Sequence, residues 1–376
     1  MPPPASPPDG GELERRHRVI ELLGRAADPT GFVPFDRFME IALYAEEVGY
    51  YARAASPLGP SGDFYTAVHV DPLFAESLAH RIEQVRSSVA DPSRFTVVEL
   101  GPGDGTLAAA LVRTLALRGS VSEYVLVDRS SARAREASAR VAADGSAVVV
   151  RTSASLAELG PVTGVVIANE LLDAAPARRL RWADGAWHEL GVRLEGASVT
   201  PAVGGVAGPV PGPPLPSNPR SGQVVELSPE GEGLVREVAD HLADGIAVWI
   251  DFGDDEPALL DGHPDGTLAA VRGHRFSADP YADPGAQDLS TFVNFSRVRA
   301  VAHTAGLVEL SFRSQAEALG EWGFVGLRDE ALRAAPNAET RVRRQLAAKN
   351  LLFGFERFRV LELASPGTAA RIGAAT

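Results

Sequence analysis

Apolar and polar stretches alternate regularly through the middle of the chain. Runs of β-branched and aliphatic residues indicate strands, and stretches with apolar residues three and four positions apart indicate helices. The repeat of strand and helix is typical of parallel strands joined by crossover helices. The pattern predicts an α/β fold with a doubly wound, Rossmann-like sheet, with strands at 96–100, 123–128, 146–151 and 163–168 and helices at 105–117 and 130–142.

Two regions break this rhythm. Residues 178–222 contain a hairpin pattern around Asp184 and then a stretch rich in Pro and Gly, for which we expect a β excursion with a mobile connection. Ahead of the sheet, residues 12–25 and the segment after Pro34 have helical periodicity and predict an N-terminal helical layer. Later segments add a helix after Ser228, a strand at 245–251, a helix at 295–304 and a strand at 355–363.

These elements predict how the chain is organised. A length of 376 residues exceeds one typical domain and suggests a main domain with additions. We expect a disordered leader (1–11), the helical layer (12–90), a core (91–177 and 223–253), the β and loop insertion (178–222), a mainly helical region (254–350), a last core strand (351–363) and a tail (364–376).

Composition narrows the classes of function. The net charge of -13 argues against a nucleic-acid partner, because phosphate binding needs concentrated Lys and Arg. There is no cysteine, and no histidine pair has the spacing of a metal site. No segment resembles a signal peptide or is apolar over the roughly 20 residues needed to span a bilayer. We therefore expect a soluble, cytoplasmic protein without metal, for which a homodimer is one permitted assembly.

A glycine-rich turn follows the first strand of the core. Residues 95–106 read FTVVELGPGDGT, so Gly101 and Gly103 come directly after an apolar strand. Glycines in such a turn allow positive φ and let a ligand approach the backbone, which indicates a nucleoside site. A dinucleotide fingerprint needs a further glycine where this chain has Thr106. An ordinary turn between a strand and a helix is the alternative that the spacing leaves open.

Two acids beside this turn favour S-adenosylmethionine over a dinucleotide. A sulfonium cofactor has an ammonium group and a ribose but no pyrophosphate, so acidic groups suit it. Asp128 ends the second strand and is expected to accept hydrogen bonds from the ribose hydroxyls. Glu99 is expected to orient the loop or the amino group. The turn thus predicts a methyl donor site.

A third polar group follows the fourth strand. Asn169, Glu170 and Asp173 lie where open α/β sheets place their ligand crevice. Methyl transfer needs an acceptor atom in line with the S–CH3 bond and a group that holds or deprotonates the acceptor. Glu170 and Asp173 are candidates for that role. The alternative is that Asp173 caps a helix and Glu170 is a solvated edge residue.

Several separate motifs together resemble the MidA family of S-adenosylmethionine-dependent methyltransferases, which includes a mitochondrial assembly factor that methylates an arginine. The resemblance extends over roughly 18–363. The motifs are ALYAEEVGYYA (42–52), GDFYTA (62–67), VVELGPGDGTLA (97–108), ANELLDAAPARR (168–179), Trp187 with Glu189, VELSP (225–229), IDFG (250–253), GTLAAVRGH (266–274) and PGAQDLSTFVNF (284–295).

The resemblance implies roles for individual residues. It implies a methyltransferase core in the sheet and an acceptor-side subdomain in the insertion and helical additions. Glu170 falls at the border of cofactor and acceptor, and His274 matches a histidine beside the acceptor pocket. The cofactor contacts implied are a lid formed by Gly62, Asp63, Phe64 and Thr66 and, on the core, Gly101, Gly103, Asp128 and Asn169.

The chain departs from the family pattern on the acceptor side. Val68 and His69 replace a usual Pro-Glu pair, and Phe292 and Asn294 stand where polar or acidic residues are common. These changes predict a less anionic pocket, in which His69, Phe292, Asn294 and Trp187 contact the acceptor. A less acidic pocket suits a guanidinium less well.

The expected function follows from this departure. We expect a methyltransferase that acts on an oxygen or nitrogen of a small molecule, plausibly in specialised metabolism. The first alternative is a protein arginine methyltransferase, which Glu170 and Asp173 permit. The second is a non-catalytic assembly protein that binds the cofactor. The intact glycine turn argues against the second alternative.

Overall fold

A computed structural model describes residues 10–52, 67–143, 148–273 and 275–375. Its strands are β1 (Phe32–Pro34), β2 (Thr96–Leu100), β3 (Glu123–Val127), β4 (Val149–Ser153), β5 (Val162–Asn169), β6 (Arg178–Ala183), β7 (Ala186–Glu195), β8 (Ser198–Val206), β9 (Val224–Leu227), β10 (Leu242–Asp254), β11 (Ala269–Arg272), β12 (Arg275–Phe276), β13 (Asp288–Ser290), β14 (Val293–Asn294), β15 (Val308–Ser314) and β16 (Phe358–Ala364).

Helices cover the faces of these strands. They are α1 (Gly10–Ala26), α2 (Phe35–Tyr44), α3 (Ala67–Val70), α4 (Leu73–Arg86), α5 (Thr106–Arg118), α6 (Ser131–Ala142), α7 (Pro229–His241), α8 (Glu256–Gly262), α9 (Phe295–Thr304), α10 (Gln315–Glu321), α11 (Phe324–Arg333), α12 (Ala338–Phe353) and α13 (Pro366–Ala375). Among the described residues, no helix is both long and apolar enough to cross a membrane.

The central sheet has the strand order β15-β16-β10-β5-β2-β3-β4. The strands from β10 to β4 are parallel, whereas β16 and β15 join the edge in antiparallel pairing. Val97 and Val165 face one hydrophobic core with α4 and α5, and Val98 and Val166 face a second core with α7 and α9. Because both faces are covered, the strands are apolar throughout. The predicted doubly wound α/β sheet is confirmed.

The insertion contributes β6, β7 and β8 to a second sheet of order β1-β7-β6-β9, in which β8 pairs with β7 and in which β1 and β9 come from outside the insertion. The predicted hairpin lies between β6 and β7, where Asp184 and Gly185 have positive φ values of 51° and 77°. The Pro-rich connection, which the sequence predicted to be mobile, is hydrogen-bonded to Arg297. The buried Arg297 guanidinium donates to the carbonyl oxygens of Pro211 at 3.3 Å and Pro213 at 2.6 Å.

The flanking regions hold more structure than their sequence patterns suggested. α1 and α2 pack with the insertion sheet and with the small sheet β12-β11-β13, which lies in the region expected to be mainly helical. The expected tail contains α13, and Arg371 on that helix donates to the Ser88 carbonyl at 2.6 Å. The strands β11 to β13 and the helix α13 lack a periodic run long enough to predict them.

Candidate active site

A cavity of about 940 Å³ opens at the carboxyl ends of β2, β3 and β5. It is lined by the turn after β2, the turn after β3 and the turn after β5, and by residues of α2, α6 and α7. This volume lies within the range of about 300 to 1,000 Å³ that is typical of small-molecule sites. The cavity therefore occupies the crevice where an open α/β sheet binds its ligand.

The glycine turn forms one wall of this cavity. Gly101, Gly103 and Gly105 have φ values of 61°, 55° and 81°, which favour glycine over other residues. The Gly101 N–H donates to the Val127 carbonyl at 2.9 Å and joins the turn to β3. A Cβ atom on Gly101 would lie 2.6 Å from Cδ1 of Leu171. The missing side chain keeps this wall open, as a nucleoside cradle requires.

Asp128 lies on the adjacent wall, at the end of β3. Its Oδ1 accepts a hydrogen bond from the Ser130 N–H at 2.7 Å, which fixes the carboxyl against the start of α6. Burial raises the pKa of Asp128 above its usual value. Asp128, Gly101 and Gly103 thus share the cavity, as the sequence predicted for a cofactor with a ribose.

Glu99, the other acid predicted to bind the cofactor, does not line the cavity. Successive side chains of a strand point to opposite faces, so Glu99 points away from the cavity that Leu100 lines. Its Oε2 accepts a hydrogen bond from the Tyr124 hydroxyl at 2.6 Å. Burial raises the pKa of Glu99 to about 7. Glu99 therefore packs on the opposite face of the sheet and is not among the described residues that line the cavity.

The turn after β5, residues 170–173, is called the acid turn below. Glu170 lines the cavity and has a φ of 53°, which is unusual for a residue with a side chain. Asn169 Nδ2 donates to Glu170 Oε1 at 3.1 Å. Asn169 Oδ1 and Glu170 Oε2 are both buried without a hydrogen-bond partner among the described residues. Buried polar atoms are usually paired, so these two oxygens point to a ligand.

Three more buried carboxyls lie near Glu170, those of Asp173, Asp251 and Asp288. Burial raises the pKa of Glu170 to about 8, and the carboxyl of Asp173 adds to the effect. Burial likewise raises the pKa of Asp173 to about 6 and that of Asp288 to about 7. Within the described ranges no group of His, Asp or Glu side chains is arranged to hold a metal ion. The acid turn is therefore suited to a cationic group or to a proton.

An aromatic wall from the N-terminal layer completes the cavity. The rings of Tyr44 and Tyr51 stack with centroids 5.4 Å apart. The Tyr51 hydroxyl donates to Asp288 at 2.9 Å, and the Tyr44 hydroxyl donates to a backbone carbonyl of the segment that follows the acid turn. The Arg129 guanidinium lies 3.5 Å from the Tyr44 ring centroid. These two tyrosines belong to the ALYAEEVGYYA motif, which was the only sequence signal for them.

The residues expected to contact the acceptor do not come together. Asn294 caps α9 and donates to Glu256 at 3.1 Å. Phe292 stacks on Phe252 with centroids 6.1 Å apart, and Trp187 packs against Trp182 in the insertion sheet. His69 lies on α3, with its Nε2 3.6 Å from Asp104. None of Asn294, Phe292, Trp187 and His69 is among the described residues that line the cavity.

Five predicted site residues lie outside the described residues. They are the lid residues Gly62, Asp63, Phe64 and Thr66, and His274. Their assignments stay predictions.

The parallel sheet, the glycine turn and the cavity at the carboxyl ends of the strands are typical of α/β enzymes that bind a nucleoside, and Asp128 lies where the sequence predicted a ribose contact. A family model described as an S-adenosyl-L-methionine-dependent methyltransferase matches residues 75–313. The chain therefore belongs to the MidA family of S-adenosylmethionine-dependent methyltransferases, and it is an enzyme that uses this cofactor.

Named relatives and solved structures are similar over most of the chain. The mitochondrial protein arginine methyltransferase NDUFAF7 homolog of Drosophila melanogaster is 28% identical over 82% of this chain and 75% of its own length. Mouse NDUFAF7, also a mitochondrial protein arginine methyltransferase, is 25% identical over 73% of this chain and 67% of its own. A COG1565 superfamily protein from Burkholderia thailandensis bound to S-adenosyl-homocysteine superposes with a TM-score of 0.85 and 29% identity, covering 97% of this chain and 98% of that one.

Proposed function

We propose that this methyltransferase acts on a guanidinium nitrogen of an arginine in a protein acceptor. The observation that carries the proposal is the buried Glu170 Oε2 atom, which has no hydrogen-bond partner among the described residues and belongs to a side chain that lines the cavity. A carboxylate suits a guanidinium, because the planar N–H groups donate to both oxygens. The relatives named above are protein arginine methyltransferases, which supports the same acceptor.

The chemistry that remains for the protein is to hold the acceptor and to remove a proton. Bound S-adenosylmethionine supplies an electrophilic methyl group at this site. A guanidinium nitrogen that gains a methyl group gives up a proton, and Glu170 is the cavity carboxyl placed to accept it. Its pKa of about 8 lies near neutral pH, where a general base works best.

The charge around the cavity supports a cationic acceptor. Arg129 and Arg133 are the cations among the lining residues, and Arg129 is paired with Glu40 at 3.4 Å and Glu230 at 3.1 Å. Carboxylates outnumber them on the walls. The acids that line the cavity are Glu40, Glu46, Glu47, Asp128, Glu170, Glu230 and Glu237.

A small organic acceptor, expected from the departures in the sequence, is the alternative. That expectation relied on an acceptor pocket made less acidic by His69, Phe292 and Asn294. Because these residues do not line the cavity, their side chains leave the acids of its walls unchanged. The acid turn therefore favours the arginine acceptor.

Label transfer tests the proposal. The enzyme would be incubated with methyl-labelled cofactor and either the protein fraction or the small-molecule fraction of an extract of its source. We expect label in protein, recovered as methylarginine after hydrolysis. Label confined to small molecules would overturn the arginine proposal.

Two variants connect this assay to the site. Glu170→Gln keeps the shape of the side chain but cannot accept the proton, so we expect turnover to fall about 10²- to 10⁴-fold with cofactor affinity retained in calorimetry. Glu123→Gln, at the opposite end of the sheet, is the matched control and should keep both. Full activity in Glu170→Gln would make this residue structural.

A further inference from the structure

Asp251 lies three residues before the end of β10, and its carboxyl group binds the backbone of the acid turn. β5 and β10 pair in parallel as far as Asn169 and Ile250, and the Glu170 N–H then donates to the Ile250 carbonyl at 2.8 Å. The next three backbone N–H groups, those of residues 171–173, all donate to Asp251 Oδ2 at 3.1, 2.8 and 3.3 Å. Asp251 Oδ1 accepts the Phe252 N–H at 2.9 Å.

This arrangement fixes a backbone that is otherwise unfavourable. Successive N–H groups that converge on one point form an anion-binding concavity, and here the anion is a side chain of the same protein. Glu170 has a left-handed φ of 53°, which a residue with a Cβ atom rarely adopts. Asp251 therefore holds the turn from which Glu170 reaches the cavity.

Asp251 is also connected to Glu170 through Asp173. The Asp173 carboxyl hydrogen-bonds to the Asp251 carboxyl. Two buried carboxyls joined by a hydrogen bond hold one proton between them, because they are not both ionised in a buried place. Burial raises the pKa of Asp251 well above its usual value, and the charges of Asp173 and Glu170 add to this effect. The pair thus controls the charge next to Glu170.

We propose that Asp251 is the positioning residue of the acceptor site. Through the backbone of residues 171–173 it sets the orientation in which Glu170 takes a proton from the acceptor. This inference depends on the proposed function. When the acceptor nitrogen gains the methyl group, the electron pair of the broken S–C bond stays on sulfur and the nitrogen's proton goes to Glu170.

The groups around Glu170 determine the sign of the test. Because Asp173 and Asp251 hold one proton between them, Asp251→Asn leaves the negative charge on Asp173, so the pKa of Glu170 should stay near its wild-type value. The titratable and charged groups near the acid turn that take part in this balance are Asp173, Asp251, Asp288, Tyr44, Tyr51, Arg129 and Arg133.

The test compares Asp251→Asn with Asp254→Asn. Asparagine at 251 keeps one acceptor oxygen but replaces the other with an amide NH2 group, so the backbone N–H groups around it lose part of their support. We expect a cofactor dissociation constant within about two-fold of the wild type, kcat lower by roughly 10- to 100-fold because the base is misplaced, and a pH profile of kcat that is not shifted from the wild type. Asp254 lies on the same strand and is paired with Arg359, so Asp254→Asn should leave kcat and its pH profile unchanged.

Carbon NMR of the Glu170 carboxyl, with S-adenosyl-homocysteine bound, gives a readout that needs no acceptor. We expect the chemical shift of this carboxyl to differ from the wild type in Asp251→Asn, because the turn is displaced, while its titration stays near the wild-type pH. An unchanged chemical shift and an unchanged kcat would overturn the role of Asp251. If the chemical shift changes in Asp251→Asn but the wild-type enzyme methylates no arginine, only the proposed acceptor would be overturned.

Asp173→Asn separates charge from position. It removes the negative charge beside Glu170 but leaves the hydrogen bonds from the acid turn to Asp251, so the Glu170 titration should move to lower pH, since the charge of Asp173 raises the pKa of Glu170. If Asp251→Asn does not fold, Asp251→Glu keeps the inference testable: its carboxyl is displaced by one methylene group, and a wild-type kcat in this variant would overturn the role of Asp251.

Discussion

The glycine turn and the acid turn occupy equivalent places in the fold but are built differently. They follow the neighbouring parallel strands β2 and β5, which are in register at Leu100 and Ala168. Both turns begin with a residue of positive φ, 61° at Gly101 and 53° at Glu170. In the glycine turn that residue has no side chain, whereas in the acid turn it carries a carboxyl into the cavity.

The difference separates the two tasks of the enzyme. At the glycine turn the local sequence is sufficient, because glycine adopts a positive φ without help and leaves space for the cofactor. At the acid turn Glu170 depends on a carboxylate from another strand, Asp251, which binds three successive backbone N–H groups. In the proposed function, the conformation of the cofactor turn is thus encoded in one segment and that of the acceptor turn in two.

The largest expected effect comes from filling the glycine turn. Gly101→Val introduces a β-branched residue at a positive φ and places a Cβ atom 2.6 Å from Cδ1 of Leu171. We expect calorimetry to show no cofactor binding. Asp128→Ala, which removes the predicted ribose contact, should abolish binding as well.

Gly119→Val is the matched control for the strain of Gly101→Val. Gly119 also has a positive φ, 63°, but an added Cβ atom there meets no other atom within 4 Å. Its variant should bind cofactor with the wild-type affinity. Unchanged affinity in both Gly101→Val and Asp128→Ala would remove the assigned cofactor site.

A smaller effect is expected at Glu99, which is close to the glycine turn in sequence but faces away from the cavity. Burial raises the pKa of Glu99 from 4.5 to about 7, so ionisation of this carboxyl destabilises the fold. The penalty is absent below pH 4.5, grows as the pH rises to about 7 and is complete above that value. Glu99→Gln lacks it, and its unfolding free energy at pH 8 should exceed that of the wild type by up to about 3 kcal/mol.

Chemical denaturation at pH 4.5 and pH 8 measures this difference. We expect the advantage of Glu99→Gln at pH 8 to shrink at pH 4.5, and cofactor affinity to stay unchanged. A stable Glu99→Gln variant with weak cofactor binding would instead support the role first predicted for Glu99, orientation of the cofactor.

The sequence predicted the elements whose pattern is long and local. The central strands are buried on both faces and read as continuous apolar runs, and the hairpin at Asp184 has the residues that its turn requires. The short strands β11 to β13 and the helix α13 lack such runs. The hydrogen bonds that hold the Pro-rich connection were not predicted either, because they come from Arg297, more than 80 positions away.

The candidate site shows the same limit. Gly101, Gly103, Asp128 and Glu170 follow directly after strands, so their position in the chain predicts that they meet at one edge of the sheet. Tyr51, Asp251 and Asp288 become neighbours of Glu170 only through tertiary packing. The Phe292 side chain packs against Phe252, and the Asn294 side chain caps α9. A comparison of motifs does not reveal these local roles.

The pH dependence of kcat/KM in the wild-type enzyme, measured beside Glu170→Gln, tests most directly whether the acid turn supplies the base. Burial and the neighbouring Asp173 raise the pKa of Glu170 to about 8, and the carboxyls around it titrate together. We predict that kcat/KM, which reports the pKa values of the free enzyme, rises with pH between about 6 and 8 and that Glu170→Gln abolishes this rise. A wild-type kcat/KM that is constant from pH 5 to 9, or a rise that persists in Glu170→Gln, would contradict the account.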